Sequence, residues 1–445
     1  MAGLSVRVLF VNHTARVSGG ELSLLGLLAA LPPEIEAAVA CPPGVLAERV
    51  DAAGIPRFTI QGTDGSLRLH PLRTPRALAE MAGAGVGVNC AAARFGADIV
   101  HANSIRAGLI AVAARSADGR PYIRPSRIAP AARTTGGRPS IRTGGIAPAA
   151  RTGVGRTSIR AGRIAVAAGM AGGRPTVVHA RDCLPPGPVS GLTLRALSRA
   201  DAVIANSAYT RTALGPAAAR ARVVHNAVDL DRFAAPRLDR AAARARLGIG
   251  GDGPALAVIA QVTPWKGQDT AIRIAAGLRR RHPELRLLLV GSAKFDSPST
   301  RHDNSSYLAG LHRQVAAAGL GDAVSFLGER DDLPEILAAL DLVLVPSWEE
   351  PFGRTVIEAM AAGVPVAATA IGGPAEILDH GRTGLLLAPH EPWRWVEEIG
   401  PLLDDGRRRA EMAALAGAEA RRRFGIEQHV DAVLEVYAGV REGPR

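Results

Sequence analysis

The sequence predicts an α/β protein of two doubly wound domains that face each other across a cleft, with an amphipathic helix at the end of the chain. Three observations predict it. The chain has 445 residues, 47% of them apolar, which is more than one core of ~250–300 residues accommodates. Its apolar residues fall in short continuous runs that alternate with helix-like segments, the pattern of parallel strands covered on both faces. The alternation halts between Ala234 and Pro254, in a polar stretch containing Gly and Pro, and then begins again.

The first series reads strand VRVLFVN (6–12), helix GELSLLGLLAAL (20–31), strand EAAVACP (36–42), helix GVLAERVDAAG (44–54), strand PRFTI (56–60) and strand ADIVHANS (97–104). It continues through PTVVHARD (175–182) and ADAVIANS (200–207) to ARVVHNAVDLDRF (221–233). The second series has strands in ALAVIAQV (255–262), LRLLLVG (285–291), AVSFLG (323–328), LVLVPS (342–347) and VPVAAT (364–369). At the end, Ile426, Val430, Val433, Leu434 and Tyr437 recur at helical spacing. The expected organisation is a first domain over 1–235, a linker over 236–254, a second domain over 255–425 and a final helix over 426–445. Ligands in such sheets bind beyond the carboxyl ends of the strands, so the cleft is the expected site.

A net charge of +12 would ordinarily suggest a polyanionic partner. Its distribution argues otherwise. From Ile105 the chain repeats itself, with Ile105, Ile123, Ile141 and Ile159 each 18 residues apart. The units are too poor in apolar residues to stack as a solenoid, and Pro130 and Pro148 interrupt the central copies of the helix pattern. One helix and its following loop have been copied in tandem, within repeats spanning 105–176. The surplus is taken as 123–176, whose 54 residues hold ten arginines and no acid. Without them 391 residues remain with a charge of +2. Such a run reads as a solvated, flexible excursion, and with almost no aromatics to stack on bases, no specific nucleic acid is expected.

Cys41, Cys90 and Cys183 are odd in number and have no metal-ligand spacing, which fits a reduced, cytoplasmic compartment. The start of the chain has no basic n-region or long apolar core, and no run reaches the ~18 apolar residues of a membrane span. The expectation is a soluble protein that at most sits on the inner face of an anionic membrane.

The candidate site residues lie at strand ends. After LVLVPS comes EEPFG, and Phe352-Gly353 open the helix RTVIEAMAAG. A helix start offers free N–H groups and a positive dipole, and glycine lets a phosphate come close. Glu350 precedes that turn, and Glu358 stands inside the helix among Val356, Ile357, Ala359 and Met360, where its two oxygens can accept both hydroxyls of a ribose. Lys266 in QVTPWKG follows the first strand of the second domain, in place to meet a diphosphate. Gly19-Gly20 form a phosphate-type turn after the first strand, and Gly372-Gly373 suggest a weaker, second nest of N–H groups. His101, His179 and Asp182 fall at or just after strand ends, although an isolated histidine is more often structural than catalytic.

Together these segments resemble the family-four retaining glycosyltransferases of the GT-B fold, two Rossmann-like domains across a cleft. The resemblance rests on E350-P-F-G-R-T-V-I-E358, which is similar to the family's E-x7-E motif, and on PWKG, VVHNAVDLDRF, SFLGERDDLPEILAALDLVLVPSWEEPFG and GGPAEILDHGRTGLLL in the family's order. With the GGE turn they cover nearly the whole chain outside the repeats. The resemblance implies a hexosyl transfer from a UDP- or GDP-type sugar to a hydroxyl of a glycan, lipid-linked or small-molecule acceptor. No cofactor and no metal are implied, and the departing phosphate helps take the acceptor's proton. It places Glu350 at the donor sugar, Glu358 at the ribose, and Lys266, Phe352, Gly353, Gly19 and Gly20 around the diphosphate.

Two positions depart from the pattern. Gln261 stands where the family has an arginine, and Arg354, after Gly353, is the residue expected to return positive charge there. VVHARDCLPP aligns with the family's strand-end His-Asp with either His179 or Arg181 in the histidine's place, and His179 followed by Asp182 is the preferred catalytic pair. The rival readings are a nucleotide-sugar-binding relic without activity and a nucleotide-sugar epimerase on the same fold.

Overall fold

The computed structural model describes residues 5–63, 73–117, 173–294 and 302–442. The first lobe is a sheet of β1 (Val6–Val11), β2 (Ile35–Cys41), β3 (Arg57–Thr59), β4 (Ile99–Ala102), β5 (Thr176–Ala180), β6 (Ala202–Ala205) and β7 (Ala221–Val223). Its order is β3-β2-β1-β4-β5-β6-β7, with every pairing parallel. The second lobe holds β8 (Ala255–Ile259), β9 (Arg286–Val290), β10 (Val324–Gly328), β11 (Leu342–Val345), β12 (Val366–Thr369) and β13 (Leu385–Leu387). Their order is β10-β9-β8-β11-β12-β13, again all parallel. This is the predicted pair of doubly wound sheets, and β13 is the one strand the apolar pattern did not announce.

Five helices position the site: α1 (Gly19–Ala29), α2 (Ile105–Ala117), α3 (Ala208–Thr212), α4 (Arg354–Ala361) and α5 (Ile426–Glu442). Side chains alternate across each strand, so Leu9 and Val11 join one core with Ile110 and Val112 of α2. Val6, Val8 and Phe10 join the other, beneath Leu24 and Leu27 of α1. The chain's final described helix is the expected amphipathic one, and it returns to the first lobe. Val430, Val433, Val436 and Tyr437 of α5 complete that second core. In exchange, Val228 and Phe233, just past β7, pack with Phe424 in the core of the second lobe.

The first repeat copy supplies α2, and β5 takes up the chain at Thr176. The remaining copies lie largely outside the described residues. Their connection joins the end of a helix to the start of a strand, so both of its ends lie away from the carboxyl ends of the sheet.

In each sheet the order reverses at one point, between β1 and β4 and between β8 and β11. Crevices form where strand order reverses, and the loops after these four strands carry Gly19-Gly20, Asn103, Gln261 to Lys266, and Ser347 to Gly353.

Candidate functional site

In the second lobe Gly353 has φ 94°, a left-handed conformation that favours glycine, and is the N-cap of α4. Thr355 Oγ1 donates to the Ile259 carbonyl at 3.1 Å, tying the start of α4 to the end of β8. Four residues into the helix, Glu358 is 7% exposed and accepts a 3.2 Å bond from Arg354. Glu350, equally buried, accepts from Lys266 Nζ at 2.5 Å and from Ser347 Oγ at 3.1 Å. The Lys266 ammonium also lies 4.0 Å over the Trp265 ring. Each of the two motif carboxylates is thus paired with a cation expected near a diphosphate.

Gly372-Gly373 pack against the loop that carries Glu350. A Cβ on Gly372 would stand 2.0 Å from the Glu350 carbonyl, and one on Gly373 2.0 Å from that of Phe352. The Gly373 N–H already donates to Glu350 O at 2.8 Å. These glycines let two backbones touch and so fix the loop that carries Glu350. Gln261 turns its amide to the Lys294 carbonyl at 3.1 Å.

The first lobe brings up α1, whose opening Gly19-Gly20 faces the cleft. Glu21 Oε2 accepts from Ser18 N and Oγ at 3.0 and 2.5 Å, fixing this turn. A Cβ on Gly19 would lie 3.5 Å from Arg354 Cδ, and one on Gly20 3.1 Å from Arg181 Cδ. Arg354 bridges the lobes, donating to Ser23 Oγ at 2.9 Å and to the Ala227 carbonyl at 2.8 Å. A second bridge forms at α3, where Glu376 accepts from the N–H groups of Ala208 and Tyr209 at 2.8 and 2.7 Å. Ser207 Oγ there donates to Pro351 O at 2.6 Å, and Tyr209 OH to Glu349 at 3.0 Å.

His179 stands away from the cleft. It lies inside β5, one residue before the strand ends, on the face covered by α5, and has no exposed surface. Its ring sits 5.6 Å from His101 and 6.0 Å from His429, while His101 bonds Tyr437 OH at 2.6 Å. Burial pushes the His101 imidazole down to about 3 and that of His429 to about 4, and holds His179 well below its ordinary value, with the Arg181 charge adding to all three. The first residue past β5 is Arg181, followed by Asp182, which is open to the cleft. Desolvation between the lobes raises the Asp182 carboxyl, helped by Glu21 and Glu350 and opposed by Lys266 and Arg181. Of the two sequence alignments, the geometry puts Arg181, and not His179, beside Asp182 at the cleft.

The sequence reading passed over a cage of asparagines. Asn12, Asn103, Asn206 and Asn226 are all buried, each just past the end of a first-lobe strand or the bend that follows it. Asn103 Nδ2 donates to Asn12 Oδ1 at 3.0 Å and to Gly20 O at 3.3 Å, and Asn206 Nδ2 donates to Arg181 O at 2.9 Å. The repeated ending of an apolar run in asparagine was the available signal.

Residues 239–419 match the family model described as glycosyl transferases group 1. That match takes in the whole sheet of the second lobe. The D-inositol 3-phosphate glycosyltransferase of Salinispora tropica is 37% identical over 224 residues, 49% of this chain and 46% of that protein. The chain spans about half the length of the curated relatives it matches. Over nearly the whole molecule it is similar to Anabaena Alr3699/HepE, solved in complex with UDP and glucose. The TM-score is 0.74 and the identity 25%, covering 98% of this chain and 100% of that one. A sucrose-phosphate synthase from Thermosynechococcus elongatus, 19% identical with a TM-score of 0.69 over 97% of this chain and 98% of its own, shares the fold. The group 1 match covers Glu350, Glu358, Lys266 and Gln261, and the GT-B architecture of both neighbours is the one found here. Among the described residues no group of three or more His, Cys, Asp or Glu gathers to hold a metal. Nor is any described helix long and apolar enough to cross a membrane.

Proposed function

We propose that the chain is a retaining, metal-independent glycosyltransferase that moves a hexose from a nucleoside diphosphate sugar to a hydroxyl of a glycan, lipid-linked or small-molecule acceptor. The observation that carries this reading is the meeting of Glu350–Lys266 and Glu358–Arg354 at the start of α4, facing the Gly19-Gly20 turn of the other lobe. A donor needs two acceptors for sugar and ribose hydroxyls and positive charge for the diphosphate, and both are present within one loop and helix.

Glu358 accepts the ribose hydroxyls, Glu350 those of the sugar, and Lys266 with the N–H groups opening α4 and α1 neutralises the diphosphate. The bond between the anomeric carbon and the diphosphate oxygen breaks, and the acceptor hydroxyl adds on the same face. Its proton passes to the departing phosphate, with Asp182 beside the reaction. UDP is the favoured nucleotide, since Anabaena Alr3699/HepE was solved with UDP-glucose.

Thermal stabilisation by UDP, GDP and ADP, followed by UDP against 2′-deoxy-UDP, tests the reading. UDP should stabilise the protein, the deoxy analogue should do so less, and Glu358→Gln should narrow the difference. Absence of stabilisation by every nucleoside diphosphate would overturn it. With the preferred nucleotide sugar, turnover unchanged by EDTA and an α-linked product from an α-linked donor are expected.

A further inference from the structure

The three cations at this cleft are not alike. Lys266 lies 2.5 Å from Glu350 and Arg354 lies 3.2 Å from Glu358. Arg181 has no carboxylate within ion-pair distance among the described residues, although it is only 7% exposed. Its guanidinium is held by neutral groups. Nε and one terminal nitrogen donate to Asn103 Oδ1 at 3.1 and 2.9 Å, the same terminal nitrogen meets His179 Nδ1 at 3.3 Å, and the other donates to Asn226 Oδ1.

A buried charge costs free energy unless an opposite charge compensates it. Here burial is the largest influence, lowering Arg181 to about 9, and the Arg354 charge lowers it further against the pull of Glu21 and Asp182. It is still protonated at neutral pH. Glu21, the carboxylate that influences it most, is committed to Ser18 N and Oγ. The asparagines fix the position of the charge and leave it uncancelled.

What lies in front of it is the first turn of α1. Gly20 has no side chain, and its Cα faces Arg181 so closely that a Cβ would come within 3.1 Å of Cδ. On the other side of the same turn stands Arg354. An anion seated on the α1 N–H groups would therefore meet Arg181 with no side chain between.

We propose that Arg181 is the first-lobe cation of the diphosphate site, kept free of any carboxylate so that the substrate's diphosphate becomes its counter-ion. It supplies the charge that Gln261 does not bring from the second lobe. This inference rests on the proposed function, because it names the diphosphate as the anion.

Calorimetric titration of the full chain with UDP and with uridine tests it. Arg181→Gln should weaken UDP by about tenfold or more and leave uridine within about twofold, while Arg181→Lys should recover much of the UDP affinity. Asn226→Asp is the complementary variant. It places a carboxylate where the amide oxygen now accepts from Arg181, so it should raise the melting temperature and yet weaken UDP as Arg181→Gln does. A purely structural arginine would keep or gain from that carboxylate in both measurements.

Unchanged UDP affinity in both variants, or equal loss of UDP and uridine, would overturn the inference. If Arg181→Gln does not fold, Asn226→Asp alone decides. If the unaltered protein binds no nucleoside diphosphate, the proposed function fails first. Inorganic pyrophosphate then separates the two, since stabilisation abolished by Asn226→Asp would uphold the anion site and its absence would end it.

Discussion

Replacing Arg354 with alanine removes the side chain that bridges the lobes and pairs with Glu358. Its guanidinium donates to Ser23 Oγ, to the Ala227 carbonyl and to Glu358. Ser23 keeps its own bond to the Gly19 carbonyl at 3.0 Å, so the groups left unsatisfied are Ala227 O and Glu358. Removing one partner of a buried ion pair costs ~3–5 kcal/mol. The Arg354 and Glu358 side chains retain 17% and 9% of their exposure. Cleft water can therefore reach part of the exposed carboxylate, and the expected destabilisation is ~2–3 kcal/mol.

Urea unfolding of Arg354→Ala, Glu358→Gln and the double variant measures this as a cycle, with a coupling energy of ~1–2 kcal/mol expected. UDP affinity should fall by about tenfold in Arg354→Ala, because the brace that holds α1 against α4 is lost with the charge. A coupling near zero would show that the pair is ornamental. Unchanged UDP affinity would refute the assignment of Arg354 to the donor site.

The remaining expectations concern Lys266, the histidines and the repeats. Lys266→Met should weaken UDP by about tenfold or more and should also destabilise the fold, since Glu350 would keep only Ser347; equal UDP affinity would count against the site. The His101 and His429 imidazoles titrate near 3 and 4 in the folded state, with His179 also depressed. The unfolded chain therefore takes up protons as pH falls through ~6.5 while the folded one does not, so stability should hold above that pH and decline below it. His429→Leu should make that decline shallower in urea titrations at successive pH values; an identical slope would refute the depression. Deleting 123–176 joins Tyr122 to Val177, so that Arg120-Pro121-Tyr122 replaces Arg174-Pro175-Thr176. It should leave melting and UDP binding within the normal range, and loss of UDP binding would mean that the repeats serve the site.

The fold was legible because two different signals agreed. Continuous apolar runs such as LVLV and AVIA announced buried parallel strands, and the renewed alternation after Pro254 announced a second sheet. Strand β13 escaped because Leu385–Leu387 directly follows the turn-rich stretch 379–384. The second-lobe half of the candidate site was legible for a related reason. Glu350, Gly353 and Glu358 lie within one strand–loop–helix unit, so their spacing in sequence is their spacing in space. The first-lobe half is assembled from Gly20, Asn103, Arg181 and Asn226, which follow β1, β4, β5 and β7 and so lie far apart in sequence. No local pattern could distinguish His179 from Arg181; what separates them is whether β5 ends at residue 178 or 180, and which face α5 covers.

The pairing of cations with carboxylates bears on the order of events at the cleft. Without ligand, Lys266 neutralises Glu350 and Arg354 neutralises Glu358, so the second lobe presents little net charge to an incoming anion. On the proposed function, a diphosphate that draws Lys266 toward itself releases Glu350 from the ammonium and leaves only Ser347 to hold it. A carboxylate so released is an acceptor in need of donors, which the hydroxyls of the attached sugar provide. Phosphate recognition thereby prepares sugar recognition, and a nucleoside diphosphate lacking its sugar leaves Glu350 poorly satisfied. On the proposed role of Arg181, it stands outside this exchange because no carboxylate among the described residues pairs with it, and so it offers the incoming diphosphate a charge that breaks no described ion pair.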